Sequence, residues 1–260
     1  MLAKIIDNSR VGPDYYKIDF KPDAELKSIS PGQFFHLQIK KDRYISEPLL
    51  RRPFSVFDYD DKNNILSIVY CIAGRGTSIM SRLSPGEKVD LLGPLGRGFK
   101  TDFNKDDLLV IGGGMGSAPL NYLLKELKGN NNLQIFLGGG TYDEINYFCT
   151  RCEESNLNVY SASMDGSKGY KGTVIDLLVK KNKEMLDDID FVFSCGPEGL
   201  LKAVQKFAIK RNLSGQVSVE ERMGCGFGVC LSCVCSTTDG NKRVCKEGPV
   251  FNIKDVVFDE

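Results

Sequence analysis

Nine cysteines stand in this chain of 260 residues, and five of them, Cys225, Cys230, Cys233, Cys235 and Cys245, crowd its C-terminal end. Four follow the pattern Cys225-x4-Cys230-x2-Cys233-x11-Cys245. Thiolates are soft ligands, and four at this spacing satisfy the two irons of a [2Fe–2S] cluster. Gly224, Gly226 and Gly228 let the backbone wrap tightly and aim N–H groups at sulfur. Arg222, Lys242, Arg243 and Lys246 lie close in sequence and can offset the cluster's negative charge. Cys235 has no iron left for it and reads as a packed thiol. The alternative is a structural zinc site, although zinc usually takes two short-spaced cysteine pairs and only Cys230/Cys233 is such a pair here.

Further stretches suit a flat-ringed, phosphate-bearing cofactor. In Arg52-Pro53-Phe54-Ser55 a fixed cation can pair with a pyrophosphate, an aromatic can pack on a ring, and a hydroxyl can donate to a ring nitrogen. Alone, the tetrapeptide reads as an edge strand with a solvated arginine. A second match changes that reading: Val69-Tyr70-Cys71 leads into Gly74-Arg75-Gly76-Thr77, where glycines and a threonine open a helix whose N–H groups can bind phosphate. Gly112-Gly113-Gly114-Met115-Gly116 forms a glycine turn between strand and helix, suited to close approach by a pyrophosphate. It is not the Rossmann fingerprint, because Ser117 replaces the third glycine and no acid ends the second strand near Leu137. Cys195-Gly196-Pro197 ends another strand of the same region. No Lys or Arg occurs between Lys128 and Arg151, where a 2′-phosphate would want a cation, and the turn offers Asp143 and Glu144 instead. NAD(H) is therefore expected over NADP(H).

Three kinds of element must position these groups. Up to about Phe99, short β-branched and aromatic runs such as Gln33–Ile39, Pro53–Phe57 and Ile65–Tyr70 alternate with Gly-Pro turns, which predicts a six-stranded antiparallel barrel over residues 1–100. From residue 101 to 215, strand, turn and helix repeat, with Leu120, Leu123, Leu124 and Leu127 on one helical face. That grammar predicts a five-stranded parallel α/β sheet whose ligands sit at the carboxyl ends of its strands. Residues 216–260 are too few for a core of their own and need a cluster or metal to hold them. The fold class is thus β followed by α/β, with a small cluster segment.

Composition narrows the chemistry. Lys and Arg (34) balance Asp and Glu (34), so charge gives no reason to bind nucleic acid or an anionic membrane. The uncharged run Leu108–Leu124 is interrupted by glycines and a proline and falls short of a bilayer span. No basic n-region with an apolar core opens the chain, so a cytoplasmic protein with reduced thiols is expected. One histidine, His36, leaves no room for a multi-histidine metal site or an acid/base triad, and it reads as a hydrogen-bonded barrel residue among Phe34, Phe35 and Leu37. Cys149-x-x-Cys152 falls on the apolar stripe of a helix and reads as packing. Gly93 to Thr101 misses a phosphate loop by one position and is discarded.

The arginine tetrapeptide, the Val69–Thr77 stretch, Gly112–Pro119 and Cys195-Gly196-Pro197 resemble signatures of the ferredoxin–NADP reductase superfamily. Glu220-Glu221-Arg222-Met223-Gly224-Cys225-Gly226-Phe227-Gly228-Val229-Cys230, followed by Val244-Cys245-Lys246-Glu247-Gly248-Pro249-Val250-Phe251, closely resembles one branch of it. That branch is the electron-transfer subunits of type B dihydroorotate dehydrogenase, which serve pyrimidine (UMP) synthesis. The resemblance spans essentially the whole chain; Phe54 stands where a small aliphatic residue is also common, and Cys235 is extra. It implies FAD on the barrel, with Arg52 at its pyrophosphate, Ser55 near its N5 and Val69 to Cys71, Gly76 and Thr77 around the rest. It also implies NAD+ on Gly112–Gly116 with its nicotinamide beside Cys195, and a catalytic FMN-containing partner in a two-plus-two heterotetramer. Other readings are a reductase subunit of a hydrogenase, sulfite reductase or NADH:ferredoxin-type complex, and a zinc-stapled, non-catalytic binding module.

Overall fold

The computed structural model describes residues 1–39, 48–185 and 188–258, so the last two residues of the 216–260 segment lie outside it. The first sheet is antiparallel and contains β1 (Leu2–Arg10), β2 (Tyr15–Pro22), β3 (Phe34–Gln38), β4 (Arg52–Ser55), β5 (Asp58–Asp60), β6 (Ile65–Cys71) and β7 (Lys88–Leu95) in the order β4-β3-β7-β1-β2-β6-β5. Alternation builds it: Ala3 and Ile5 of β1 and Ile18 and Phe20 of β2 point into the core, while Leu2, Lys4 and Ile6 face out. Seven strands appear where six are expected because one strand is broken. β4 pairs with β3 and β5 pairs with β6. At the break, the Val56 N–H donates to Gln33 O at 2.9 Å and the Phe57 N–H to Ser67 O at 3.0 Å. One stretch, 52–60, thereby closes the barrel. A short helix, α1 (Arg75–Met80), follows β6.

The second sheet has β8 (Asp107–Gly113), β9 (Asn132–Gly139), β10 (Val159–Ser163), β11 (Tyr170–Lys171), β12 (Phe191–Cys195) and β13 (Ser214–Ser218). Helices α2 (Ala118–Leu127), α3 (Asn146–Glu154), α4 (Val174–Met185) and α5 (Glu198–Lys210) connect them. The expected five parallel strands run β10-β9-β8-β12-β13. Two additions flank them, the two-residue β11 on one edge and an antiparallel strand on the other. Leu120, Leu123, Leu124 and Leu127 of α2 are buried, as their spacing requires. The same helix ties the sheet to the barrel: Asn121 Nδ2 donates to Phe57 O at 3.1 Å, and Lys125 pairs with Asp58 at 2.7 Å. Cys149 and Cys152 are packed inside, and burial raises their thiols to about 11 and about 12.

The cysteine segment forms a hairpin, β14 (Val234–Thr237) and β15 (Gly240–Arg243), then β16 (Val250–Asn252). That last strand is the antiparallel edge, pairing Ser218 with Val250 and Gln216 with Asn252. The barrel grips the same place, since the Arg97 N–H donates to Gly248 O at 2.6 Å. Gly96 makes this approach possible: its φ is +77°, and a Cβ there would lie 2.6 Å from Pro249 Cδ and 2.8 Å from the Gly248 carbonyl. Gly96→Ala is therefore expected to lower stability by roughly 1–3 kcal/mol, read as a lower urea midpoint at unchanged slope. A wild-type midpoint would show that the contact relaxes freely.

Candidate functional site

A cavity of about 330 Å³ opens between barrel and sheet. Phe54, Ser55, Tyr70 and Cys71 wall it from the barrel, and Met115 and Pro119 from the sheet. β4 and β6 are brought together by the barrel's closure, so the Phe54 ring meets Tyr70 edge-on at 6.1 Å. Tyr70 is held in turn by Tyr16, stacked at 5.7 Å, and its hydroxyl donates to Asn8 at 3.0 Å. Pro53 and Val69 also line the cavity, which gathers the two barrel motifs around one apolar space. A second opening of about 310 Å³ adjoins it, bounded by Arg52, Gly74, Arg75, Gly76 and Thr77. Arg52 and Arg75 both bring guanidinium groups here, and Arg52 is steadied by donating to Leu50 O at 2.7 Å. α1 has only six residues. Thr77 Oγ1 accepts the Ala73 and Gly74 N–H groups at 2.9 and 3.2 Å, so it shapes the loop rather than standing free.

At the carboxyl ends of β8, β9 and β12 lies a cavity of about 410 Å³. Gly113, Gly114, Gly139, Gly140, Glu144 and Pro197 are among its lining residues. Gly114 takes φ +52°, the turn that a side chain would resist. The other members of the glycine motif work differently. A Cβ on Gly112 would meet Ser117 Oγ at 2.7 Å, and one on Gly116 would lie 2.4 Å from Gly196 Cα. These two glycines let backbones touch, and Met115 faces the barrel-side cavity instead. Glu144 is the one charged residue lining the 410 Å³ cavity among the described residues, and its carboxylate accepts the Gly140 N–H at 2.8 Å.

Cys195 lines none of these spaces. It is buried, and desolvation followed by the nearby Glu220 carboxylate push its thiol far above the usual range, against the Ser218 hydroxyl. Gly196 and Pro197 reach cavity walls; the cysteine lies behind them. Phe34 and Ser218, which no motif singled out, complete the barrel-side cavity with Glu220, Glu221, Met223 and Pro249 of the C-terminal motif. Ser218 to Glu221 follow the last parallel strand, at the edge where such sheets bind ligands, and that position was the available signal. The Glu220 side chain touches solvent, yet it stands in a cleft crowded enough for desolvation to raise its carboxyl.

The cluster motif folds as two pairs. Cys225 and Cys230 face each other in an exposed loop, where the Val229 N–H donates to Cys225 Sγ at 3.3 Å and the Cys225 N–H to Cys230 Sγ at 3.4 Å. Gly226 and Gly228 take φ +82° and +87° to turn those amides inward. The Ser232 hydroxyl and then the Cys225 backbone bring Cys230 down to about 6, favouring thiolate. Cys233 and Cys245 are buried together, and desolvation, then Cys233, push Cys245 up to about 12. Among the described residues no three His, Cys, Asp or Glu gather as a single metal ion requires. Two cysteine pairs, the outer one with N–H donors at its sulfurs, fit a two-iron group in which each iron takes one pair. Arg243 is clamped by Glu247 and donates to Gly228 O at 2.8 Å, and from there it stays within electrostatic reach of Cys245 and Cys233. Cys235 is packed behind the hairpin, its thiol raised by burial. His36 departs from expectation; it is fully buried, but neither ring nitrogen has a hydrogen-bond partner among the described residues.

Residues 220–257 match the model of the iron–sulfur cluster binding domain of dihydroorotate dehydrogenase B. The whole chain is similar to the dihydroorotate dehydrogenase B (NAD(+)) electron transfer subunit of Clostridium acetobutylicum, at 34% identity over 100% of this chain and 98% of the relative. The corresponding subunit of Fusobacterium nucleatum is 36% identical over 96% of this chain and 95% of the relative. Among solved structures, the NADH-dependent reduced ferredoxin–NADP oxidoreductase superposes with a TM-score of 0.85 at 26% identity, over 99% of this chain and 90% of that one. Phthalate dioxygenase reductase shares the fold, with a TM-score of 0.62 at 16% identity over 92% of this chain and 86% of that one. With the barrel, the parallel sheet and the cysteine segment in the same order over full length, the chain belongs to the family of dihydroorotate dehydrogenase B electron transfer subunits.

Proposed function

We propose that this protein takes electrons from a catalytic, FMN-containing subunit that oxidises dihydroorotate, and delivers them through a [2Fe–2S] cluster and FAD to NAD+ in pyrimidine biosynthesis. When bound, the cluster carries single electrons, and the flavin links such steps to the two-electron hydride that NAD+ accepts. The carrying observation is that the cysteine segment itself walls the barrel-side cavity, through Met223 just before Cys225 and Pro249 just after Cys245. Cluster ligands and flavin space therefore share one wall. We assign residues 1–100 to FAD, 101–215 to NAD and 216–260 to the cluster.

In this reading the chain's own residues hold and orient. Cys225, Cys230, Cys233 and Cys245 ligate the irons. Phe54 and Tyr70 pack on the flavin ring, Ser55 donates near its N5, and Arg52 beside Gly76 neutralises its pyrophosphate. Gly113 and Gly114 admit the NAD pyrophosphate, and Glu144 faces the part of that cavity where a 2′-phosphate would meet like charge. No side chain needs to take a proton, which suits a chain with a single histidine. The exposed Cys230 is ringed by exposed Phe227, Val229 and Leu231, an apolar rim that fits the catalytic subunit. We assign two catalytic plus two electron-transfer subunits to the assembly, and among the described residues no helix is long and apolar enough to cross a membrane. A second reading, service to another redox complex, is favoured by the close superposition on the ferredoxin–NADP oxidoreductase.

Mixing the purified protein with its candidate FMN subunit should give dihydroorotate-dependent NAD+ reduction. A rate no higher than either subunit alone gives would rule out the assignment, and a colourless protein would rule out both electron-transfer readings. Cys225→Ser or Cys230→Ser should lose the iron–sulfur absorption and the transfer rate while keeping bound FAD; loss of flavin from a folded variant would contradict the separation of the two sites. Arg52→Ala should lower FAD retention after gel filtration, and unchanged flavin content would mark Arg52 as a surface residue. Glu144→Gln should narrow the preference for NAD+ over NADP+ by on the order of tenfold in kcat/KM. An unchanged ratio would remove Glu144 from specificity.

A further inference from the structure

The chain's only histidine is used by nothing above. On β3, Phe35 and Leu37 face the barrel core, while Phe34 and His36 face the opposite side. That side is covered by the cysteine segment: Phe34 packs in one cluster with Cys233, Val244 and Cys245. Phe34 also lines the barrel-side cavity, and its ring lies 5.7 Å from the imidazole of His36. Over His36 runs Gly226, next to Cys225. A Cβ built on Gly226 would lie 2.7, 2.8 and 2.9 Å from the Cε1, Nδ1 and Nε2 of the ring, so only glycine lets the loop rest on the imidazole. His36 is completely buried, and both of its nitrogens are without a partner among the described residues. Buried polar groups are normally hydrogen-bonded, so an orphaned pair beside a ligand loop points to a group that belongs there. Burial, then the Arg51 guanidinium, hold the ring's pKa down to about 4, which leaves it neutral with one N–H to give.

We propose that His36 is a positioning residue for the cluster: it seats the Cys225–Cys230 loop through Gly226 and gives its ring N–H to a sulfur of the bound cluster, setting the cluster's reduction potential. The inference rests on the [2Fe–2S] reading of the four cysteines. A donor at sulfur favours the reduced, more negative state, so removing it makes the potential more negative.

One histidine makes the test residue-specific. Protein carrying its cluster and FAD is produced with [15N]histidine and reduced, and pulsed EPR of the cluster is recorded. A 15N coupling absent from unlabelled protein is the expected result; no coupling overturns the proposal. EPR-monitored redox titration of His36→Leu should give a more negative cluster potential and shifted g-values with iron and flavin content kept. His36→Gln, which retains an N–H donor, should recover most of the wild-type potential. A His36→Leu protein with wild-type potential and spectrum overturns the proposal as well. Should His36→Leu fail to hold its cluster, the labelled wild-type protein decides. A wild-type protein with no EPR-active cluster on reduction instead fails the [2Fe–2S] reading itself, and this proposal with it.

Discussion

The pairing of β16 with β13 is the contact on which the chemistry of this molecule depends. Ser218 lies opposite Val250, so everything between them is an excursion whose two ends are fixed side by side at the ligand-binding edge of the parallel sheet. The excursion carries the four cysteines of the cluster motif and has little core of its own. Its apolar residues, Val219 and Val244 among them, are buried by joining the hydrophobic cluster of the sheet and of Phe34. Closing such a loop costs chain entropy, and the ladder hydrogen bonds and shared core offset that cost away from the cysteines. The ligand loop is then free to expose Cys230 without unravelling.

Electrostatics sort the thiols along the same axis. The outer pair, Cys225 and Cys230, is drawn towards thiolate by amide and hydroxyl donors near solvent. Within the inner pair, Cys245 is held protonated by burial and by Cys233, so a metal must displace its proton to bind. The outer end, with Phe227, Val229 and Leu231, is left for a partner. An electron carrier needs this polarity, an entrance at the surface and an exit against its next cofactor.

Much of the plan was readable from residue order, and the exceptions share a physical cause. Cysteine spacing, strand alternation and the leucine face of α2 are local patterns, and each led to the element found. The broken strand 52–60 was not legible, because its break exists to serve two neighbours, β3 and β6, that are distant in sequence. Nor was β16: three residues carry no period, and only their register with β13 makes them a strand. Site residues divide in the same way. Arg52, Phe54, Ser55 and Tyr70 line the spaces their chemistry suggested, whereas Met115 turns to the other cavity and Cys195 lies behind its neighbours. Arg243 stays within electrostatic reach of Cys233 and Cys245, but its place is fixed by Glu247, four residues on. Ionic partners and cavity walls are decided by tertiary placement, which a single chain's order does not record.

The glycines show how that placement is achieved. Gly96 admits Pro249, Gly116 admits Gly196, and Gly226 admits His36. Two of them join the barrel to the cysteine segment at separate points, and the third joins one sheet turn to another. A side chain at any of these positions would force the facing backbone or ring to shift. Electron transfer requires short separations more than it requires reactive side chains. A protein built for it needs close backbone approach at its seams, and Gly96, Gly116 and Gly226 provide that with residues that have no chemistry of their own.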